Sequence, residues 1–89
     1  MVIGIDGGGT QCRFALCIGA RRFDWRGGSA NATTDPEGTR RLLHDGLIAL
    51  AEQAALARDA LWNVPTFAGL AGVLEDAAQL SQGLPVRNI

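Results

Sequence analysis

Short runs of apolar residues, each cut by a turn signal, organise the first third of the chain. Val2 to Asp6 reads as a short, mostly apolar strand, and Cys12 to Ile18 as a second one interrupted only by Arg13. The link from Gly7 to Gln11 is too short for a helical crossover, so these strands are expected to pair antiparallel. Gly19-Ala20 supplies a turn. Arg21 to Arg26, where Phe23 and Trp25 alternate with charge, reads as the third strand of a meander that ends at Gly27-Gly28-Ser29.

The period then changes from strand-like to helical. Asp35-Pro36-Glu37 is a helix start, with Asp35 or Thr34 as N-cap, Pro36 at the first helical position and Glu37 complementing the helix dipole. Leu43, Leu47, Leu50, Ala54, Ala57 and Leu61 recur at helical spacing and predict one apolar face of a long helix packed on the sheet. Asn63 and Pro65 break it. Val64 to Leu70 reads as a buried strand turning at Ala71-Gly72, a second helix runs from about Leu74 to Gln82 and ends at Gly83, and Pro85 to Ile89 starts another strand. The order β-β-β-α-β-α-β over residues 1–89 predicts a single α/β domain with a mixed sheet.

Composition narrows this picture. A chain of 89 residues buries only about 60 to 65 % of the surface its unfolded form exposes, so modest stability is expected. Hydrophobic content of 47 % with 19 % charge is too apolar for disorder, and no continuous apolar run approaches membrane-spanning length. Neither a membrane partner nor a secretory leader is expected, which makes a cytoplasmic location the expectation. A net charge of -1 with no Lys offers little attraction for nucleic acid; Arg21, Arg22 and Arg26 are read as solvated hairpin positions. Cys12 and Cys17 fall on opposite faces of one strand, so they cannot pair and are read as buried thiols. His44 is read as a surface or boundary residue, and Trp25 and Trp62 as caps on the core edge.

Glycine is the outlier, at 12 of 89 residues, and it concentrates at 7–9, 27–28 and 69–72. Glycine-rich turns aim backbone N–H groups at phosphates, because amides supply positive dipole without bulk. A Walker A loop needs a Lys that this chain lacks. The dinucleotide fingerprint is also absent, and its turn opens a helix, whereas "CRFALCI" is strand-like. A phosphate loop inside a β-hairpin remains, with Gly7, Gly8 and Gly9 permitting close approach, Thr10 donating to a phosphate oxygen and Asp6 facing a hydrated divalent cation. A plain tight turn, with Asp6 bonded to backbone, fits the same residues and stays open at this point.

"GIDGGGTQC" at 4–12 resembles the first phosphate motif of the sugar kinase, hsp70 and actin superfamily, and in particular the N-acetylglucosamine kinase and BadF/BadG/BcrA/BcrD ATPase family. "GGSANAT", with Asn31, and "AGLAGV" at 68–73 resemble two later stations of that family, in order and with similar spacing along the chain. The resemblance implies a ribonuclease-H-like lobe, an actin-like ATPase domain spanning 1–89 and truncated before the second lobe. It implies ATP and Mg2+ as cofactors and an amino sugar, N-acetylglucosamine or glucosamine, as the small-molecule substrate. Gly7, Gly8, Gly9, Thr10 and Gln11 would then hold the ATP phosphates, Asp6 the metal region, Asn31 a sugar hydroxyl, and Ala71 and Gly72 the wall of the sugar pocket. Position 71 is Ala where some relatives carry a hydroxyl residue.

Phosphoryl transfer also needs a carboxylate to accept the proton of the attacking hydroxyl. In the family this Asp follows the strand that here begins at Pro85, and the second phosphate motif lies further on, so neither has a counterpart in residues 1–89. The isolated chain is therefore expected to carry no catalytic residue, to be inactive and to bind ATP weakly. Apolar surface left bare by the missing lobe predicts self-association, as a homodimer, or poor solubility. Two alternatives share the sequence features: an ATPase activator of a 2-hydroxyacyl-CoA dehydratase or benzoyl-CoA reductase, and a non-catalytic nucleotide- or sugar-binding module.

Overall fold

The computed structural model describes residues 1–7, 10–29, 34–70 and 86. The described elements run in the order β1 (Val2–Gly7), β2 (Cys12–Ile18), β3 (Arg21–Gly27), α1 (Pro36–Gln53), a short 3₁₀ helix (Arg58–Leu61) and β4 (Thr66–Leu70). They make an α/β unit whose four strands form one mixed sheet in the order β3-β2-β1-β4. β1 and β2 pair antiparallel, as do β2 and β3, whereas β4 joins the free side of β1 in parallel. The second helix expected near 74–82 and the strand expected from Pro85 lie outside the described residues, apart from Val86, which is buried with the core.

Period-two alternation decides which side of the sheet is covered. Ile3 and Ile5 of β1 and Cys12, Phe14 and Leu16 of β2 face α1 and are buried, while Asp6 and Arg13 are turned to the other face. The β2–β3 hairpin turns on Gly19-Ala20, because Ile18 and Arg21 are Cα partners. Gly19 takes a φ of +59°, which the first position of a two-residue hairpin turn demands and glycine adopts without strain. Trp25, half-buried at the sheet edge, meets the Phe14 ring edge-on with centroids 5.2 Å apart.

Helix α1 starts at the expected place. Asp35 is its N-cap, accepting a 3.0 Å hydrogen bond from the Gly38 backbone N–H, and Pro36 occupies the first turn where a missing N–H costs nothing. Leu43, Leu47 and Leu50 are fully buried against the sheet, each contributing about 1.5–3 kcal/mol. Gly46 lets the helix settle on β2, since a Cβ there would lie 2.6 Å from the Phe14 ring. The side-chain amide of Gln53 donates to the Asp24 carbonyl at 2.9 Å and ties the end of the helix to β3.

Four sequence expectations need correction. The single long helix reaching Leu61 is instead two pieces, because α1 closes at Gln53. Ala55 takes a left-handed φ of +56°, its N–H donating to the Glu52 carbonyl and the Leu56 N–H to the Ala51 carbonyl at 2.9 Å. Ala57 is consequently exposed, and Leu61 reaches the core through the 3₁₀ turn. A continuous helix from 36 to 61 would measure about 39 Å against about 20 Å for a six-residue strand, and would overshoot the sheet. The fourth strand is shorter and less buried than expected, spanning Thr66–Leu70 with Phe67 68 % exposed. Trp62 is 49 % exposed and does not cap the core, unlike Trp25. His44 sits at the boundary of α1 as expected, its Nδ1 3.6 Å from an Asp45 carboxylate oxygen. Cys12 is buried in the core, whereas Cys17 is only half-buried.

Candidate functional site

The sheet geometry gathers chain segments that the sequence keeps far apart. Gly7 is the Cα partner of both Cys12 and Leu70, and Cys12 is in turn the partner of Gly27. One row across the sheet therefore contains the last residues of β1, β3 and β4 and the first of β2. The glycine hairpin leaves the sheet from this row, and so do the segments bonded to Gly27 and Leu70, which lead toward Asn31 and Ala71-Gly72.

Gly8, Gly9, Asn31, Ala71 and Gly72 themselves lie outside the described residues, while Asp6, Gly7, Thr10 and Gln11 lie within them. Gly7 is buried, Thr10 exposed and Gln11 half-buried. The Asp6 side chain is exposed on the face of the sheet away from α1, one residue before the edge row, between Arg13 of β2 and Gly69 of β4. No ion pair joins Asp6 to Arg13 among the described residues. Its charge is felt on the opposite face: burial first, and the nearby Asp6 carboxylate second, push the Cys12 thiol up from 9.0 to about 11. Cys12 is thus a protonated core thiol, unsuited to act as a nucleophile or metal ligand.

Among the described residues no element packs on the face that carries Asp6. A concavity of about 1070 Å3 lies over it, bordered by Asp6, Arg13, Arg22, Asp24, Arg26 and Phe67. Its floor is low because Gly4 and Ala15, Cα partners at the centre of the sheet, contribute almost no side chain. Among the described residues no group of three His, Cys, Asp or Glu side chains could hold a metal ion directly. Asp6 and Asp24 are the carboxylates that border the concavity among the described residues, too few to hold a metal ion without water or ligand oxygens.

Arg13 and Arg26 are the neighbours that sequence reasoning passed over, one as a polar interruption in a strand and the other as a solvated hairpin position. They are Cα partners in the same row as Asp6. The signal for them was numerical: in a hairpin turning on 19 and 20, partners sum to 39, as 13 and 26 do. No described helix is long and apolar enough to cross a membrane. In comparisons with known proteins, no protein-family model matches the chain and no curated protein matches it.

Proposed function

We propose that the row Leu70–Gly7–Cys12–Gly27 is the base of a nucleotide site, in which the β1–β2 hairpin holds the phosphates of MgATP within the N-terminal lobe of an amino-sugar kinase. The observation that carries this reading is the common exit of the three motif-bearing segments from one sheet row. Convergence of chain segments at the carboxyl ends of parallel strands is where ligands bind in open α/β sheets. In this reading Gly7 to Gly9 let the phosphates approach the backbone, Thr10 donates its hydroxyl, Gln11 supports the turn, and Asp6 orients the hydrated magnesium. Asn31, Ala71 and Gly72 are assigned to the sugar, N-acetylglucosamine or glucosamine, and the lobe to a ribonuclease-H-like fold.

Because the described carboxylates include none in the position of a catalytic base, the chemistry is assigned only to a chain that carries the downstream Asp the resemblance implies. The activator reading is disfavoured by Cys12, which the fold turns into the core rather than toward a shared iron–sulfur cluster. Calorimetric titration of MgATP into the 89-residue chain should give weak saturable heat that Thr10→Val and Asp6→Asn both diminish. Heat that survives both substitutions overturns the site. For the kinase assignment, a longer chain with that Asp should phosphorylate an amino sugar at saturating MgATP; absence of turnover overturns it.

A further inference from the structure

We infer that the sheet face turned away from α1 is a self-association surface, on which two copies of this chain pack as a weak twofold dimer. Among the described residues no element covers this face. Its middle is non-polar: Val2, Gly4, Ala15, Cys17 and Phe67 adjoin one another there, with Phe67 68 % and Val2 38 % exposed. A contiguous patch of this kind marks an interaction surface. The pairing of β1 with β2 identifies what covers it. Along these strands the outward-facing partners are Val2 with Cys17, Gly4 with Ala15 and Asp6 with Arg13. A twofold axis parallel to the strands and midway between them exchanges the two members of every pair. Each residue then meets, on the other copy, the residue type that stands opposite it in its own sheet.

Each of these meetings is complementary. Val2 meets Cys17, apolar against apolar. Gly4 meets Ala15, and no atom lies within 4 Å of where a Gly4 Cβ would be, so the two sheets can approach closely at the axis. Asp6 meets Arg13, opposite charges that form no ion pair with each other among the described residues of one chain. On the outer strands the same axis sets Phe67 over Asp24, because Phe67 pairs with Gly4 and Asp24 with Ala15. Arg22 and Arg26 flank Asp24 on that side of β3, which brings the Phe67 ring within range of cation–π attraction. Arg26 in turn faces Gly69, where no side chain blocks it. Aligned sheets cross at about 30°, which a small tilt of the axis supplies. Four strands about six residues long make a face of about 20 by 20 Å, or about 400 Å2 per copy. The total of about 800 Å2 is below the roughly 1,200 Å2 of stable complexes, which places the dimer in the weak, concentration-dependent class. The surface requires nothing of the nucleotide reading.

The test is sedimentation equilibrium of the 89-residue chain, with EDTA present and no nucleotide. Between about 5 µM and about 1 mM it should follow a monomer–dimer equilibrium with a Kd on the order of 100 µM. Phe67→Asp should weaken the dimer by about tenfold or more. Gly4→Leu adds apolar surface where there is room for it, yet should also weaken the dimer, because the new side chain holds the sheets apart. Stronger association of Gly4→Leu would reveal indiscriminate apolar contact and overturn the interface. Arg13→Asp should abolish dimerisation, and the exchange Asp6→Arg with Arg13→Asp should restore it; a natively folded exchange variant that stays monomeric overturns the axis. Arg21→Gln should change nothing, since Arg21 lies against Phe23 on the side of the core. A wild-type chain that is monomeric at about 1 mM, or that associates beyond the dimer, overturns the proposal and leaves the face to a different covering element. Phe67 is exposed, so Phe67→Asp should keep the native amide spectrum and decides the matter if another variant fails to fold.

Discussion

The Phe14 ring fills the space that a side chain on Gly46 would occupy, with Cε2 2.6 Å from the ideal Cβ position. Gly46 is thus the point of closest approach between α1 and the sheet, and Phe14 is enclosed between helix and β2 with 1 % of its surface exposed. Gly46→Ala gains about 1 kcal/mol of helix propensity but overpacks a ring with nowhere to move, at about 1–3 kcal/mol. The expected outcome is a net loss of stability, read as a lower urea midpoint. An unchanged or higher midpoint would mean that the helix can lift off β2 without penalty.

Ala55 points the other way. It closes α1 from the left-handed region, at φ +56°, where glycine is the usual occupant. Relief of the Cβ clash with the following carbonyl makes Ala55→Gly stabilising by about 1 kcal/mol. A raised urea midpoint with an unchanged slope is the expected result. A lowered midpoint would show that the turn does not persist in solution.

Alkaline pH should weaken the fold through Cys12. Its thiol is held at about 11 in the folded chain against 9.0 unperturbed, mainly by burial and then by Asp6. Above pH 9 the unfolded chain binds fewer protons than the folded one, so stability is intact below that pH and declines as pH rises toward 11. A two-unit difference is worth about 2–3 kcal/mol at the upper limit. The chain has no Lys and no Tyr to titrate alongside Cys12 in this window. Urea midpoints measured from pH 8 to 11 should fall for the wild type and stay level for Cys12→Ala; parallel curves would contradict the assignment.

The three meander strands, to within a residue, and the start of α1 were legible because local chemistry decides them. β2 occurs over the residues expected, and Asp35 and Pro36 mark the helix entry. The end of α1 was not legible, since Ala54, Ala55 and Ala57 are good helix formers and no glycine announces the left-handed turn. Sheet length imposed the stop. The exposure of Phe67 was equally hidden, because a strand's own sequence does not say whether both faces of its sheet are covered. For the site, the glycine hairpin and Asp6 were visible as a motif, but the row shared by Gly7, Gly27 and Leu70 and the opposition of Arg13 and Arg26 depend on register. Register joins residues through turns, and only the Gly19 turn could have been counted from the sequence.

The parallel pairing of β1 with β4 also governs the order in which this domain can be assembled. The connection from Gly7 to Cys12 has 4 intervening residues (8 to 11), whereas that from Gly7 to Thr66 has 58 (8 to 65). Closing the longer loop costs about 2 kcal/mol more in chain entropy, so the three-strand meander is the natural early structure and β4 the late arrival. Until Leu70 has left the ribosome, one side of β1 stays an unpaired edge. That leaves a strand that is interior in the finished four-stranded sheet exposed to association while the chain is nascent.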